Sequence, residues 1–385
     1  MKIVLSGIET NNKGAELMLY AILQEVERKH PNAAVYVPLY AVRQGLGYVK
    51  TGANLREKPF ANFKRNWVKP LHLRGIFRAL HLPDRVLSDH WPVSKADYFL
   101  DASGFIISDQ WKPDDAKVRN FEFTLSAYKK QGTKIVYLPQ AFGPVELETT
   151  KELVRILNRD ADLIMPREKP SFAYLKNAGV DEAKMRIFTD FTSLVEGESP
   201  ERYKHLSGGI CVIPNARMID KGALSYVQYT DVLKSIIGGV RTAGRPVYIL
   251  SHEIESDNAF CEKLGATLEG KVEVVAGLNA LEVKGLISTA YLCVSSRFHG
   301  VASALNSCVP CLATSWSHKY AELFADYKQE GCVLDFGNPE ASLAKIAEFL
   351  EPERNKLVRA ALAAELPRIK AQTREMWDAV WRLRQ

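Results

Sequence analysis

Short apolar runs recur along this chain, each followed by a polar turn and then by a stretch of helical periodicity. Ile3-Val4-Leu5-Ser6 opens the series, and Ala15 to Val26 follows with Leu17, Leu19, Tyr20, Ile22 and Leu23 on one face. Further strands are expected at Val35–Val37, Tyr98–Asp101, Lys134–Pro139, Leu163–Met165 and Arg186–Thr189, with a helix over Asn120–Lys130. Residues 192–207 break the rhythm with Glu196-Gly197-Glu198-Ser199-Pro200, which marks an interdomain linker. The alternation then restarts, with strands expected at Gly209–Ile213, Val247–Leu250, Val272–Val275, Leu292–Val294, Cys311–Ala313 and Cys332–Leu334. The end of the chain is amphipathic and helical. Strands alternating with helices over two halves predict an α/β protein of two doubly wound, Rossmann-like domains facing a cleft. The boundaries expected are 1–195, 205–350 and a helical segment 351–385.

Composition narrows this picture. At 385 residues the chain is too long for one ordinary core. Its 46% hydrophobic and 25% charged content is that of a soluble globular protein, and no apolar run approaches the ~20 residues needed to span a bilayer. Met1–Leu5 is expected to be a first strand rather than a signal peptide. Six cysteines in apolar surroundings favour reduced thiols and a cytoplasmic location. The Cys308-Val309-Pro310-Cys311 pair has no partner pair at zinc spacing, so no metal is expected. The net charge of +6 is concentrated. Residues 56–85, within an insertion over 56–91, hold eight lysines and arginines against two acids, interleaved with Phe60, Phe63, Trp67, Ile76 and Phe77. Such a segment is either a solvated insertion or a contact with a membrane surface or anionic acceptor. No nucleic-acid motif accompanies it.

Chemistry concentrates where strands give way to helices. Ser295-Ser296-Arg297-Phe298-His299-Gly300 places an arginine and a histidine at such a junction, where α/β sheets bind ligands and helix N-termini favour anions. Arg297 offers a two-pronged phosphate grip, and His299 an acid or base near neutral pH. Pro214-Asn215-Ala216-Arg217 and His318-Lys319 end other strands and could face the same crevice, and His252 is a weaker candidate. In the first half, Asn12 and Glu16 lie in a loop without the dinucleotide G-x-G-x-x-G fingerprint. Asn12 is either a cap or a cleft-facing group. Asp101 either caps the next turn or accepts a proton from a hydroxyl. Gln140 and Arg167 follow two further strands.

These clusters, Asn12-Lys13-Gly14-Ala15-Glu16, Asp101-Ala102-Ser103-Gly104-Phe105 with Asp109-Gln110, Leu138–Pro144, Pro166-Arg167-Glu168 with Ser171, and Ser296–Gly300 with Ser303-Ala304-Leu305, resemble in order and spacing those of the polysaccharide pyruvyl transferases. Relatives often carry an acid directly after the first glycine, where Ala15 stands here. The resemblance implies a GT-B-like fold. It also implies transfer of the enolpyruvyl unit of phosphoenolpyruvate to two hydroxyls of one sugar, giving a pyruvate ketal and phosphate. Phosphoenolpyruvate is then a substrate, and no cofactor is implied. Arg297, Arg217, His299, Lys319 and His318 would hold this donor, with His299 and Asp101 catalytic and Asn12, Glu16, Gln140 and Arg167 on the acceptor. The acceptor implied is a cell-surface glycan or its lipid-linked precursor, which segment 56–85 would suit at the inner membrane face. The competing expectation is a nucleotide-sugar glycosyltransferase of the same architecture.

Overall fold

The computed structural model describes residues 1–38, 54–57, 92–220, 224–270, 272–314, 318–335 and 337–384. The basic, aromatic segment 56–85 lies outside them apart from the strand residues Arg56 and Glu57.

The chain forms two compact units. The first comprises residues 1–10, 18–191 and 374–385, and the second comprises 11–17 and 192–373. The first unit is built on a six-stranded sheet of β1 (Lys2–Ser6), β2 (Ala34–Val37), β3 (Asn54–Glu57), β4 (Tyr98–Asp101), β5 (Lys134–Gln140) and β6 (Leu163–Pro166). Its order is β3-β2-β1-β4-β5-β6 and every pairing is parallel. The second carries β7 (Ile210–Ile213), β8 (Val247–Leu250), β9 (Glu273–Val275), β10 (Leu292–Ser295) and β11 (Cys311–Ala313). These are also all parallel, in the order β11-β10-β7-β8-β9. Central strands such as β4 and β7 are buried along their whole length, as a parallel sheet covered on both faces requires.

Strand order fixes where loops can meet. In each sheet the order reverses beside its first strand, between β1 and β4 in one and between β7 and β10 in the other. Register sets Ser6 level with Asp101 and Ile213 level with Ser295. Loops leaving the carboxyl ends of such a pair diverge and leave room for a ligand.

Two helices of the second unit start where side chains satisfy their first N–H groups. Ser225 and Gln228 form a capping box on Tyr226–Arg241, and Asn279 and Glu282 form another on Ala280–Ser288. Two expected strands shrink to single bridges. Ile164 pairs with Met185, and Ala313 with Val333. Arg186 N and Phe188 N still donate to Ile164 O and Pro166 O of β6, but Ile187 is 45% exposed and β11 is only three residues long, so neither ladder extends beyond one bridge. The helical tail is one helix, Pro352–Trp381, followed by a short 3₁₀ turn. Among the described residues no helix is long and apolar enough to cross a membrane.

The units differ from the sequence boundaries at two places. Residues 11–17 join the second unit because their backbone bonds to His252 and Ile254. The last residues join the first because Trp377 and Trp381 complete its core. Trp377 packs edge-on against Phe191, and Trp381 packs edge-on against Tyr98 and His30. The Trp381 indole Nε1–H donates to Glu25 Oε1 at 2.9 Å.

Replacing Trp381 with Ala should therefore cost the first unit about 3–5 kcal/mol through lost ring packing and a cavity. Urea denaturation should register this as a lowered midpoint, with Trp381→Phe recovering much of the loss because a ring remains.

Candidate functional site

The residues selected from sequence divide between the units. Asp101, Gln140 and Arg167 belong to the first, and Arg217, Arg297, His299, His318, Lys319, Asn12 and Glu16 to the second.

In the first unit Asp101 ends β4 and is 2% exposed. Its carboxylate accepts from Ser103 N (3.1 Å), Ser103 Oγ (3.0 Å) and Gln140 Nε2 (3.1 Å). The group is thus spent on the following turn and the neighbouring strand end, which is the capping role. Gln140 Oε1 is buried with no hydrogen-bond partner among the described residues. Arg167, also buried, lies 3.4 Å from the Glu168 carboxylate, and Ser171 Oγ ties the Phe142 backbone and Glu168 together.

The second unit holds the denser constellation. Arg297 leaves β10 in extended conformation and caps the helix Phe298–Asn306. Its guanidinium grips Asp257 through both carboxylate oxygens, Nε to Oδ2 at 2.8 Å and Nη2 to Oδ1 at 2.5 Å. Nη2 also donates to Glu253 Oε2 at 2.7 Å. All three residues are buried. Arg217, half exposed, reaches the other Glu253 oxygen at 3.3 Å. Glu253 therefore stands between the two arginines. Burial opposes its charge, but Arg297 and then Arg217 outweigh it and hold its pKa below the ordinary carboxylate value. Sequence reasoning missed Glu253 and Asp257. The signal was present, since Ser251-His252-Glu253 follows the apolar run Val247–Leu250 as the other clusters follow theirs.

A layer of neutral hydrogen bonds fixes the strand ends behind these charges. Ser296 Oγ lies 2.6 Å from Tyr229 OH and 2.5 Å from Thr314 Oγ1. Its carbonyl accepts from Asn215 Nδ2 (3.1 Å) and Tyr320 OH (2.8 Å). Asn215 also accepts from Arg217 N, so the β7 and β10 ends are locked in one register. A Cβ on Gly300 would lie 2.5 Å from Ser295 Oγ, which explains the glycine that follows His299. Lys319 packs its ammonium 5.9 Å from the Phe298 ring centre, and that ring meets the His299 imidazole edge-on. His318 opens the helix His318–Asp326, and its side chain lies outside the described residues, as do Trp316 and Ser317.

Asn12 and Glu16 are turned inward. Asn12 Oδ1 accepts from Gly14 N at 2.9 Å, one of the two arrangements open from sequence. The buried Glu16 carboxylate pairs with Lys13 Nζ at 2.6 Å, and burial raises its pKa despite that partner. His252 is also buried, and its Nδ1 has no hydrogen-bond partner among the described residues. Burial, then the cations Arg297, His299 and Lys13, push its pKa well below the normal imidazole value. Among the described residues no group of three or more His, Cys, Asp or Glu is arranged to hold a metal ion.

Two measurements test this electrostatic arrangement. Arg297→Ala strands two buried carboxylates and should cost about 3–5 kcal/mol, whereas the half-exposed Arg217→Ala should cost below about 1 kcal/mol. Chemical denaturation of both variants decides it. Below about pH 6.5 the unfolded chain protonates His252 while the folded chain resists, so stability should fall as pH drops. The Glu253 contribution is lost only below its ordinary carboxylate range, nearer pH 4. Urea midpoints between pH 7 and 5 should decline in the parent and flatten in His252→Gln.

Comparison with known proteins agrees with this architecture. No curated protein sequence matches the chain significantly. Among solved structures, it resembles the UDP-GlcNAc 2-epimerase of Neisseria meningitidis bound to UDP-GlcNAc, with a TM-score of 0.59 and 12% identity over 99% of this chain and 100% of that one. Anabaena HepE in complex with UDP and glucose gives 0.58 and 12% over 98% and 100%, and S. aureus MnaA with UDP gives 0.57 and 12% over 94% and 91%. At these identities the likeness shows the fold, two Rossmann-like domains of GT-B-like type. The sequence itself matches the polysaccharide pyruvyl transferase family over residues 12–318, which takes in the candidate residues of both units from Asn12 to His318, and the chain belongs to that family.

Proposed function

We propose that this enzyme transfers the enolpyruvyl unit of phosphoenolpyruvate to two hydroxyls of one sugar in a cell-surface glycan or its lipid-linked precursor, forming a cyclic ketal. The observation that carries this reading is the pairing of a half-buried histidine with a cationic rim at the β7–β10 strand reversal, in a chain of the pyruvyl transferase family. Arg217 and Lys319 are the outer cations, and they suit the phosphate and carboxylate of the donor. Arg297 lies behind them, already held by Asp257 and Glu253, and contributes fixed charge rather than a flexible grip.

The proton economy follows from the chemistry. Protonated His299 gives its proton to C3 of the enol, making C2 electrophilic. A sugar hydroxyl adds at C2 and returns its proton to the imidazole. Phosphate then leaves, the second hydroxyl closes on C2, and its proton departs with the phosphate. Asp101, spent on its turn, is left out of these steps. Gln140 and Arg167 are the acceptor-side candidates of the first unit.

A second reading draws on the structural neighbours, which were solved with UDP, glucose or UDP-GlcNAc. On that reading the same cations would meet a nucleotide diphosphate. Thermal shift separates the two. Phosphoenolpyruvate should raise the melting temperature and UDP-sugars should not, and the reverse result would establish the second reading.

Phosphate release from phosphoenolpyruvate, coupled to a saccharide acceptor, should fall by about 10²–10⁴ in His299→Ala with folding intact. Parent-like turnover in that variant would sink the assignment. Arg217→Ala should raise the donor KM more than it lowers kcat.

A further inference from the structure

One contact in the second unit joins a motif of the first turn of the chain to the histidine of the site. The loop 11–14 runs antiparallel to residues 252–254. Lys13 N donates to His252 O at 3.0 Å, Ile254 N donates to Asn11 O at 3.1 Å, and Asn12 and Glu253 form a bridge. Asn11 adds two side-chain bonds, accepting from Glu255 N at 3.2 Å and donating to Glu253 Oε1 at 3.5 Å. This stitching delivers Gly14 directly onto the His299 ring. A Cβ built on Gly14 would stand 2.2 Å from Nδ1, 2.7 Å from Cγ and 3.0 Å from Cβ of His299. No real Cβ tolerates such a contact, so any side chain here must turn the imidazole away. The ring is partly exposed and has somewhere to go. The chain around it is tied to the helix Phe298–Asn306 and does not.

We propose that loop 11–14 is a positioning strap for the donor site. Gly14 sets the rotamer and aim of His299 by offering a flat, side-chain-free surface. Asn11 sets Glu253, and through it the spacing of Arg297 and Arg217. The strap touches no substrate. Asn12 and Glu16 serve its internal geometry, the first by capping Gly14 and the second by holding Lys13. This assignment rests on His299 as the proton-transferring group. It explains why a polar loop without a phosphate-binding fingerprint is packed against the strand reversal of the other sheet.

The test is a double-substitution cycle on the full chain: Gly14→Ala, His299→Ala and both together. In the parent background Gly14→Ala should lower kcat for phosphate release more than about tenfold, the scale of a misplaced catalytic group, with the phosphoenolpyruvate KM changed less than about threefold. It should also lower the melting temperature. In the His299→Ala background the ring is gone and only the 3.0 Å approach to the Cβ of residue 299 remains, so Gly14→Ala should lower the melting temperature much less. An equal fall in both backgrounds overturns the proposal, as does Gly14→Ala with parent-like kcat. If Gly14→Ala alone fails to fold, the double variant should fold, and its failure to do so also overturns the proposal. The melting comparison needs no substrate. A parent enzyme inert toward phosphoenolpyruvate would therefore refute the proposed reaction while the steric coupling of Gly14 to His299 was still decided.

Discussion

The buried charge cluster of Arg297, Asp257 and Glu253 is the constraint around which the second unit is arranged. A guanidinium removed from water must be met by carboxylates at good geometry, or its desolvation is uncompensated. Here the two acids come from the segment after β8 and the arginine from the end of β10, with β7 lying between those strands in the sheet. The pairing therefore spans the carboxyl edge of three adjacent strands. Asp257 also accepts from the Ala216 backbone at the β7 end, so all three strand ends answer to one carboxylate. The cluster holds an uneven balance of charge in a confined space, two acids against one deeply buried base. Arg217 redresses it from the solvent side.

Such an arrangement separates two jobs that a single arginine would have to share. Arg297 is fixed by a bidentate grip and cannot follow a ligand without breaking it. Arg217 is half exposed and meets Glu253 at the longer distance of 3.3 Å. A site with one rigid and one half-exposed cation can keep its field in place between turnovers while still meeting a substrate. The neutral hydrogen bonds of Ser296, Tyr229, Asn215 and Tyr320 matter for the same reason, because preorganised dipoles lose little free energy to rearrangement when charge develops.

The fold was legible because parallel strands buried on both faces must be continuous apolar runs, as Ile210–Ile213 and Leu292–Val294 are. The strand ends were legible for the complementary reason: polar clusters interrupt those runs abruptly. Partnership was less so. Nothing local in Ser256-Asp257-Asn258 says that Asp257 will meet an arginine forty residues later, because that depends on β7 lying between β8 and β10. For the same reason Arg297 was legible as a cation at a strand end, while its ion pairs with Asp257 and Glu253 were not. Asp101 was readable as either cap or base, while its bonds to Ser103 and Gln140 were not legible. The swap of residues 11–17 and 374–385 between units had no compositional trace, since one is a loop running into a helix and the other a helix end, and only their contacts set them apart.

That swap bears on how the chain is made. The first unit is not a leading segment of the sequence, because its core includes Trp377 and Trp381, which close over Phe191, Tyr98 and Glu25. During synthesis from the amino end, the sheet β1–β6 must wait for nearly the whole chain before these tryptophans arrive. The second unit needs residues 11–17, which leave the ribosome long before β7 does. Neither unit can be completed before the other is largely synthesised. A product that stops before Arg374 would leave the first core without its two tryptophans and open to chaperones and proteases.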